Sequence, residues 1–224
     1  MKRFSTILLC LGAWAALATL SSPLFAAGGS SAPVPEAPHL TPEQTAVNEY
    51  NSGLRYREKA EENDAKAGTQ SNAKKRAKLE AKRDALFEKA AKRFEAAIKA
   101  KHDFVQAHGS LGYALRRLGR YDESMQAYDT ALGINPNYPA AIEYRAEALL
   151  GLDRVPEALK AYERLAVISA EHAAELLAAV KTWAGDEANA EAATASNVAA
   201  WVAHREEVSS TTASGAAGGS RSWR

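Results

Sequence analysis

The chain contains very little cysteine: Cys10 is the only one, and it lies in an apolar stretch near the N-terminus. We expect that stretch to be removed, so the mature chain would have no thiol, which excludes disulfide bonds and thiolate chemistry. The sequence also has no Asn-x-Ser/Thr acceptor for N-glycosylation, which favours a bacterial periplasm. The fold must therefore rest on packing alone.

Signatures of catalysis and of metal binding are missing as well. There is no P-loop pattern and no serine in a Gly-x-Ser-x-Gly setting. The histidines are scattered without the spacing of metal ligands, and without cysteine a structural zinc site is not expected. These histidines are His39, His102, His108, His172 and His204. We therefore expect no enzyme, no cofactor and no metal.

Residues 1–27 have the pattern of an export signal. Lys2 and Arg3 precede a long apolar run, and small residues follow it. This order predicts a secretory signal peptide that is cleaved after Ala26 or Ala27. The alternative is a retained inner-membrane anchor, because the run approaches the length that spans a bilayer. In both cases the remaining chain is expected to be periplasmic or otherwise exported.

The charges of the chain are segregated along its length. Residues 55–101 carry 15 Lys and Arg against 8 Asp and Glu, whereas residues 122–224 carry 8 against 15. The whole chain has a formal net charge of only +1, which does not indicate a nucleic-acid-binding protein. The sequence instead predicts an electrically bipolar molecule.

The N-terminal part of the mature chain is expected to be a flexible linker followed by two long helices. Residues 28–40 are rich in Gly, Ser, Ala and Pro, which is typical of a linker. The sequence Thr-Pro-Glu-Gln from Thr41 predicts a capped helix start. This helix should run to about Ala67, and after the break at 68–72 a second helix should cover 73–101.

A regular period relates several aromatic positions. Phe94, Tyr128 and Tyr162 follow one another at equal intervals, and Leu149 follows Leu115 at the same interval. The interval, about 34 residues, is the length of a helix-turn-helix repeat that buries its apolar face by stacking on its neighbours. The sequence therefore predicts an array of helix pairs.

Two consecutive segments carry the details of such a repeat. Residues 105–138 place Leu111, Gly112, Gly119, Tyr121, Tyr128, Ala131, Leu132 and Pro136 at the spacing of a tetratricopeptide repeat. This segment resembles that family. Residues 139–172 resemble it less well: Ala146, Leu149, Ala158 and Tyr162 are kept, while Arg145, Asp153, Val155 and Ala170 depart from the pattern.

Residues 41–104 resemble an atypical first repeat with an insertion. Gly53 and Tyr56 fit the first helix of a repeat, and Ala90 and Phe94 fit the second. An ordinary unit separates the positions of Tyr56 and Ala90 by about nine residues, so about 25 residues are inserted here. We expect them to lengthen both helices of an antiparallel hairpin, which would project roughly 15 to 20 Å.

The inserted part is strongly basic and is expected either to bind an anionic partner or to be a solvated surface. Its basic residues are Lys74, Lys75, Arg76, Lys78, Lys82 and Arg83. The candidate partners are an anionic component of the cell envelope, an acidic protein face or the acidic half of a second copy, while export argues against nucleic acid. Pairs at i,i+4 such as Glu62 with Lys66 and Arg76 with Glu80 favour the solvated alternative.

The C-terminal part is expected to close the array. Residues 173–207 contain a capping helix and a possible additional helix, in which Val198, Trp201 and Val202 fold back on Trp183. Residues 208–224 lack the apolar bulk needed to fold and are predicted to be disordered. The complete expectation is an all-α, tetratricopeptide-like helix-turn-helix solenoid with an extended first hairpin and a C-terminal capping helix.

The family resemblance implies a non-enzymatic scaffold or adaptor that binds a peptide or protein segment in a concave groove. Positions that face the groove in such repeats correspond here to Tyr50, Asn51, Leu54, Gln106, Ser110, Tyr113, Arg116, Arg117, Glu143, Tyr144 and Glu147. The alternative for the three tyrosines is packing between helices. The two-lysine clamp by which some family members bind a C-terminal carboxylate is not reproduced, so no such specificity is expected.

Overall fold

Pairs of antiparallel helices follow one another along the chain. The computed structural model describes residues 40–186, 189 and 196–207, and these contain helices and no strand. The helices are α1 (Pro42–Gly68), α2 (Ala73–Ala100), α3 (Val105–Arg117), α4 (Tyr121–Ile134), α5 (Pro139–Gly151), α6 (Val155–Ile168) and α7 (Ala170–Gly185), and residues 196–207 form a further helical segment. The predicted all-α helix-turn-helix fold is confirmed.

Parts of the expected organisation lie outside these residues. The predicted signal peptide, almost all of the predicted linker and the predicted disordered tail are not among the described residues. Within the described part, no helix combines the length and the apolar character needed to cross a bilayer. The signal-peptide and export predictions therefore stay predictions.

The start of α1 is set by local chemistry. The Thr41 hydroxyl accepts a hydrogen bond from the Gln44 backbone N–H at 3.2 Å, and the Gln44 side chain accepts one from the Thr41 N–H at 2.9 Å. This reciprocal pair satisfies two N–H groups that a helix start leaves free, and Pro42 has the backbone angle that the first turn requires. The predicted helix start is confirmed.

A glycine beneath an aromatic ring joins the two helices of each of the first two pairs. A Cβ atom on Gly112 would lie 2.5 Å from the Tyr128 ring, and one on Gly53 would lie 2.5 Å from the Phe94 ring. Both rings are completely buried. Glycine is required at these two positions because the ring occupies the space of a side chain. The two pairs are thus built on the same contact.

The position of this contact along each helix shows how much longer α1 and α2 are than α3 and α4. Gly53 lies about four helical turns before the end of α1, whereas Gly112 lies little more than one turn before the end of α3. Phe94 lies about six turns after the start of α2, whereas Tyr128 lies about two turns after the start of α4. The hairpin is therefore longer by about 10 residues on α1 and about 14 on α2, or roughly 15 to 20 Å. The predicted lengthening of both helices is confirmed.

The third pair, α5 and α6, uses other residues at the positions where it departs from the repeat pattern. Val155 is 1% exposed and fills the place of an aromatic residue. Asp153 adopts φ = 57°, close to the φ = 74° of Gly119 one period earlier, so both turns end a helix in the left-handed region. Arg145 does not need an apolar environment, because its Nε donates to Asp129 of α4 at 2.7 Å.

The buried apolar residues form two clusters. The first joins α1 and α2 to α3 around Phe87 and Phe94, with Tyr113 on its edge. The second extends from α4 to the helical segment 196–207 around Tyr128 and Leu149. A solenoid has such a divided core because each helix pair is in contact only with its neighbours.

The last helices cover the end of this array. Ser169 caps α7 by accepting a hydrogen bond from the His172 N–H at 3.4 Å. Val198 and Val202 are buried in the second cluster, which Trp183 also borders, as the sequence predicts. The ring of Trp201, however, lies edge-on to Tyr162 at 5.0 Å, so its main aromatic partner is the last helix pair.

Candidate functional site

The first helices of successive pairs share one surface of the molecule. α3 packs against α5, and α5 packs against α7. α1 reaches α3 through Arg57, whose guanidinium carbon lies 5.4 Å from the centre of the Tyr113 ring. We call this surface of α1, α3, α5 and α7 the first-helix face. The residues predicted to bind a partner all belong to the first three of these helices.

Two tyrosine rings meet at the middle of the first-helix face. The ring centres of Tyr113 on α3 and Tyr144 on α5 are 5.0 Å apart, with an angle of 57° between the rings. Tyr113 also lies edge-on to Phe87 of α2, at 6.1 Å. Burial raises the pKa of both hydroxyl groups, that of Tyr144 to about 12. Both rings are therefore neutral at physiological pH and remain partly open to solvent.

Three guanidinium groups surround the Tyr113 ring. Besides Arg57, the guanidinium carbons of Arg116 and Arg117 lie 5.3 and 5.9 Å from its centre. Arg117 also donates to the Tyr113 hydroxyl at 3.1 Å. Stacked arginines hold a ring in place and direct their N–H groups in fixed orientations. Among the described residues the Nε atoms of Arg57 and Arg116 are buried and have no hydrogen-bond acceptor within normal distance.

An ion pair connects α3 with α5 beside these rings. Nη2 of Arg116 lies 2.6 Å from a carboxylate oxygen of Glu147, and the side chains are only 16% and 20% exposed. Burial raises the pKa of Glu147, although Arg116 and Arg117 act in the opposite direction. The pair therefore fixes the orientation of Arg116 at a considerable cost in desolvation.

A second ionic contact marks the point where the extended hairpin leaves the helix array. Asp64 of α1 accepts hydrogen bonds from Arg83 of α2 at 2.8 Å and from Arg117 of α3 at 2.7 Å. Partial burial raises the pKa of Asp64, but the two arginines lower it by more, so the net shift is downward. Asp64 consequently ties three helices together in its charged form.

A third group of polar side chains joins α5 to α7. His172 Nδ1 makes a short contact with Glu143 Oε2 and lies 3.4 Å from a carboxylate oxygen of Glu175. Glu143 is almost completely buried, and burial together with the neighbouring carboxylates of Glu175 and Glu147 raises its pKa to about 9. One atom from each of Glu143, His172 and Glu175 lies within 4.8 Å of the others.

The predicted binding residues differ widely in accessibility. Asn51 and Gln106 are exposed, whereas Ser110 and Glu143 are buried. Tyr50 serves helix packing, as the alternative interpretation proposed, because its ring lies 4.9 Å from that of Phe104. Leu54, Tyr113, Arg116, Arg117, Tyr144 and Glu147 are partly buried. The structure therefore brings Tyr113, Tyr144 and their charged neighbours together, and leaves Asn51 and Gln106 as exposed positions on the same helices.

The basic residues of the extended hairpin fall into two groups. Lys74, Lys75, Arg76, Lys78 and Lys82 are exposed. Arg83 is only 25% exposed, and it is bound to Asp64 and to Asp84 at 2.8 Å each. Arg83 therefore contributes to the structure of the hairpin, and the accessible charge of this segment comes from the other five residues.

Two parts of the site were missed by the sequence analysis. Arg57 occupies the same repeat position as Arg116, counted from Gly53 and Gly112, but the insertion interrupts the period that would have related them. The Glu143–His172 contact joins residues 29 positions apart, and the spacing of the histidines alone gave no sign of it. Aligning the first unit from Gly53 instead of by a fixed period would have identified Arg57.

The central part of the chain is similar to a known protein family. Residues 79–139 match the family model of the tetratricopeptide repeat. The matched residues begin within α2, include the whole of α3 and α4, and end at the first residue of α5. No curated protein matches the chain.

Two solved structures are similar to this chain at low identity. The type III secretion translocator chaperone SycD of Yersinia enterocolitica is 19% identical, and the match covers 73% of this chain and 95% of SycD with a TM-score of 0.40. The TPR2B domain of yeast Sti1, in a complex with pHsp70, is 16% identical, with coverages of 69% and 98% and a TM-score of 0.33. Likeness at this level does not extend to function.

Proposed function

We propose that this protein is a non-enzymatic scaffold that binds a peptide or protein segment across its first-helix face. The observation that carries the proposal is the contact between Tyr113 and Tyr144, two partly open rings from adjacent repeats, with arginine guanidinium groups around one of them. Tyrosine and arginine are among the residue types that are enriched at the energetic centres of protein interfaces. A segment lying across both rings would contact α3 and α5 at once.

The polar groups around the rings suit an extended peptide. Arg57 and Arg116 present N–H donors, which can bind the carbonyl groups of a peptide backbone. Their positions are fixed before binding, because both stack on the Tyr113 ring and Arg116 is also held by Glu147. A binding surface organised in advance loses less conformational entropy when the partner binds.

We also propose that the protein has no catalytic activity and that it acts in the bacterial cell envelope. In the described part of the chain, no nucleophile, base and orienting group come together as a catalytic set, which supports a binding role. The N-terminal signal pattern supports export, so we place the scaffold in the bacterial cell envelope, where its partner would be an envelope or exported protein. No nucleic-acid partner and no cofactor are proposed.

Site-specific photo-crosslinking tests the binding surface directly. A photoreactive amino acid at Gln106, an exposed residue of α3 on the first-helix face, should crosslink to one partner in cells. The same amino acid at Gln126, an exposed residue of α4, is the matched control and should not. Crosslinking from Gln126 alone, or crosslinking from Gln106 that is unaffected by replacement of Tyr144, would show that the partner binds elsewhere.

A second candidate function rests on the exposed lysines and arginine of the extended hairpin. These five residues extend beyond the repeat array, where they are available to a tether between the protein and an anionic envelope surface or a second copy. Each lysine close to an anionic membrane contributes about 1 kcal/mol to binding, and this contribution decreases with ionic strength. The competing interpretation is a solvated surface, for which Lys66 with Glu62 at 3.5 Å and Arg76 with Glu80 at 4.0 Å are observed.

Vesicles that contain phosphatidylglycerol distinguish these possibilities. The double variant Lys74→Gln and Lys75→Gln should lose vesicle binding at low salt. The control Lys92→Gln and Lys99→Gln removes the same charge from exposed positions on α2 nearer the repeat array and should retain it. Equal binding by both variants would mean that the hairpin is a solvated surface. Analytical ultracentrifugation of the same variants tests the second-copy alternative.

A further inference from the structure

Three equivalent sets of side chains lie where the first helices of successive pairs meet: α1 with α3, α3 with α5, and α5 with α7. We call each set a joint, and the last joint differs from the others. Gly53, Gly112 and Ala146 occupy equivalent positions in the three pairs, so the other positions can be counted from them. The first joint then contains Tyr50, Phe104 and Ala107, and the second contains Gly109, Tyr138 and Ala141. The third contains Glu143, His172 and Glu175. The first two joints consist of apolar and aromatic residues. The third consists of three side chains that can bind a metal.

The packing of the first two joints shows that the fold does not require polar groups there. Tyr50 lies against Phe104 with ring centres 4.9 Å apart. In the second joint, a Cβ atom on Gly109 would lie 3.0 Å from the Tyr138 ring. At the third joint a carboxylate and an imidazole take the place of this glycine and this ring. A buried carboxylate costs stability relative to such packing, so a binding role explains it better than a structural one.

The third joint brings several carboxyl groups close together. The Glu143 side chain is only 3% exposed, and the carboxylates of Glu175 and Glu147 lie near it. Arg116, which acts electrostatically on Glu143, is already bound to Glu147 at 2.6 Å. His172 therefore faces the carboxyl groups of both Glu143 and Glu175, and a divalent cation between the three ligand atoms could bind all three of them.

We propose that Glu143, His172 and Glu175 form a binding site for a divalent transition-metal ion, with Zn²⁺ as the best-suited example. Imidazole nitrogen and carboxylate oxygen are ligands that Zn²⁺ accepts at about 2.0 to 2.2 Å, which places the ligand atoms of a tetrahedral site about 3.3 Å apart. His172 Nδ1 and Glu175 Oε2 are already 3.4 Å apart. The metal displaces the close contact between His172 and Glu143, so these two atoms move apart when it binds.

The secondary structure supports this arrangement. His172 and Glu175 lie three residues apart on α7 and project from one face of the helix. Ser169 fixes the first turn by capping the backbone N–H of His172. Three protein ligands leave at least one coordination position for water or for an exogenous ligand, as in zinc sites that are open to solvent. The site does not depend on peptide binding by the first-helix face.

Isothermal titration of the chelator-treated full chain with Zn²⁺ tests the proposal. We expect one ion per chain, and Glu175→Gln should weaken its binding by at least about tenfold, since even residues that only support metal ligands have effects of this size. Glu175 is exposed, so this variant keeps the fold. The control Glu171→Gln, on an exposed residue of the same helix, should bind Zn²⁺ as the wild type does.

A second variant separates metal binding from folding. His172→Tyr introduces the residue found at the equivalent position in the second joint, Tyr138, and should abolish Zn²⁺ binding while circular dichroism shows an intact helical fold. The absence of stoichiometric Zn²⁺ binding by the wild type would overturn the proposal. Equal Zn²⁺ affinity of the wild type, Glu175→Gln and His172→Tyr would do so too, because the ion would then be bound at other histidines.

Discussion

The Tyr128 ring lies directly over Gly112, with a ring carbon 2.5 Å from the position that a glycine Cβ atom would occupy. The ring is completely buried and has no room to move away. Gly112→Ala should therefore destabilise the protein by about 2 kcal/mol, as overpacking of a core does. Urea denaturation followed by circular dichroism measures this difference.

The control for that substitution is Gly133→Ala in α4. A Cβ atom at Gly133 meets no atom within 4 Å. The alanine should leave the stability unchanged or raise it by up to about 1 kcal/mol, since alanine is the better helix former. Equal changes in stability for the two substitutions would show that the contact between Gly112 and the Tyr128 ring does not determine the stability of the helix pair.

The turns at Gly119 and Asp153 both have a left-handed backbone, so exchanging the two residue types should have opposite effects on stability at the two positions. Asp153 has φ = 57° and Gly119 has φ = 74°. Asp153→Gly should stabilise the protein by about 0.5 to 1 kcal/mol, because glycine adopts this conformation without a steric penalty. Gly119→Asp should destabilise it by a similar amount. Thermal unfolding of both variants provides the comparison, and changes of the same sign would contradict this explanation.

The contacts of Asp64 predict a pH-dependent contribution to stability. Its two arginine partners hold its pKa in the folded state below the ordinary value of 3.8. The stabilisation is therefore fully present well above pH 3.8 and is lost as the pH falls through the lower pKa of the folded state. Asp64→Asn should cost about 1 kcal/mol at pH 7, allowing for the partial exposure of the contact.

Denaturant unfolding of the wild type and of Asp64→Asn between pH 2.5 and pH 7 measures this dependence. The difference between the two proteins should shrink as the pH falls below about 4. A difference that stays constant over this range would mean that Asp64 acts through its shape and not through its charge.

The ion pair on the first-helix face predicts a larger effect than an exposed pair. Glu147→Ala leaves the guanidinium of Arg116 without its carboxylate partner in a mostly buried position, so we expect a loss of about 2 kcal/mol. Glu62→Ala, which removes one member of the exposed pair with Lys66, should have almost no effect. Chemical denaturation of both variants tests this contrast, and a comparable loss in both would refute it.

Most of the fold could be predicted because the residues that determine it act locally or recur with the period. Thr41 and Gln44 specify a helix start through contacts three residues apart, and the buried residues Phe94, Tyr128 and Tyr162 recur at intervals of 34 residues. Such features are visible in the sequence because each one depends on spacing alone.

The contacts between repeats could not be predicted in the same way. Arg83 belongs to a basic run, yet it is bound to Asp64, 19 residues earlier in the chain. His172 looks like an isolated histidine until α5 and α7 bring Glu143 next to it. In both cases the interaction depends on how two helices lie against each other, and no periodic pattern in the sequence records that.

The division of the core between α1–α3 and α4–α7 affects how the protein responds to a bound segment. The two clusters are packed from different residues, so backbone amides in the two parts should exchange with solvent at different rates. The rings of Tyr113 and Tyr144 belong to different clusters and touch each other at this boundary. A segment that binds both rings would add a contact between the two clusters to those already made by Gly112 with Tyr128 and by Arg116 with Glu147. Occupancy of the site should therefore bring the exchange rates of the two parts closer together.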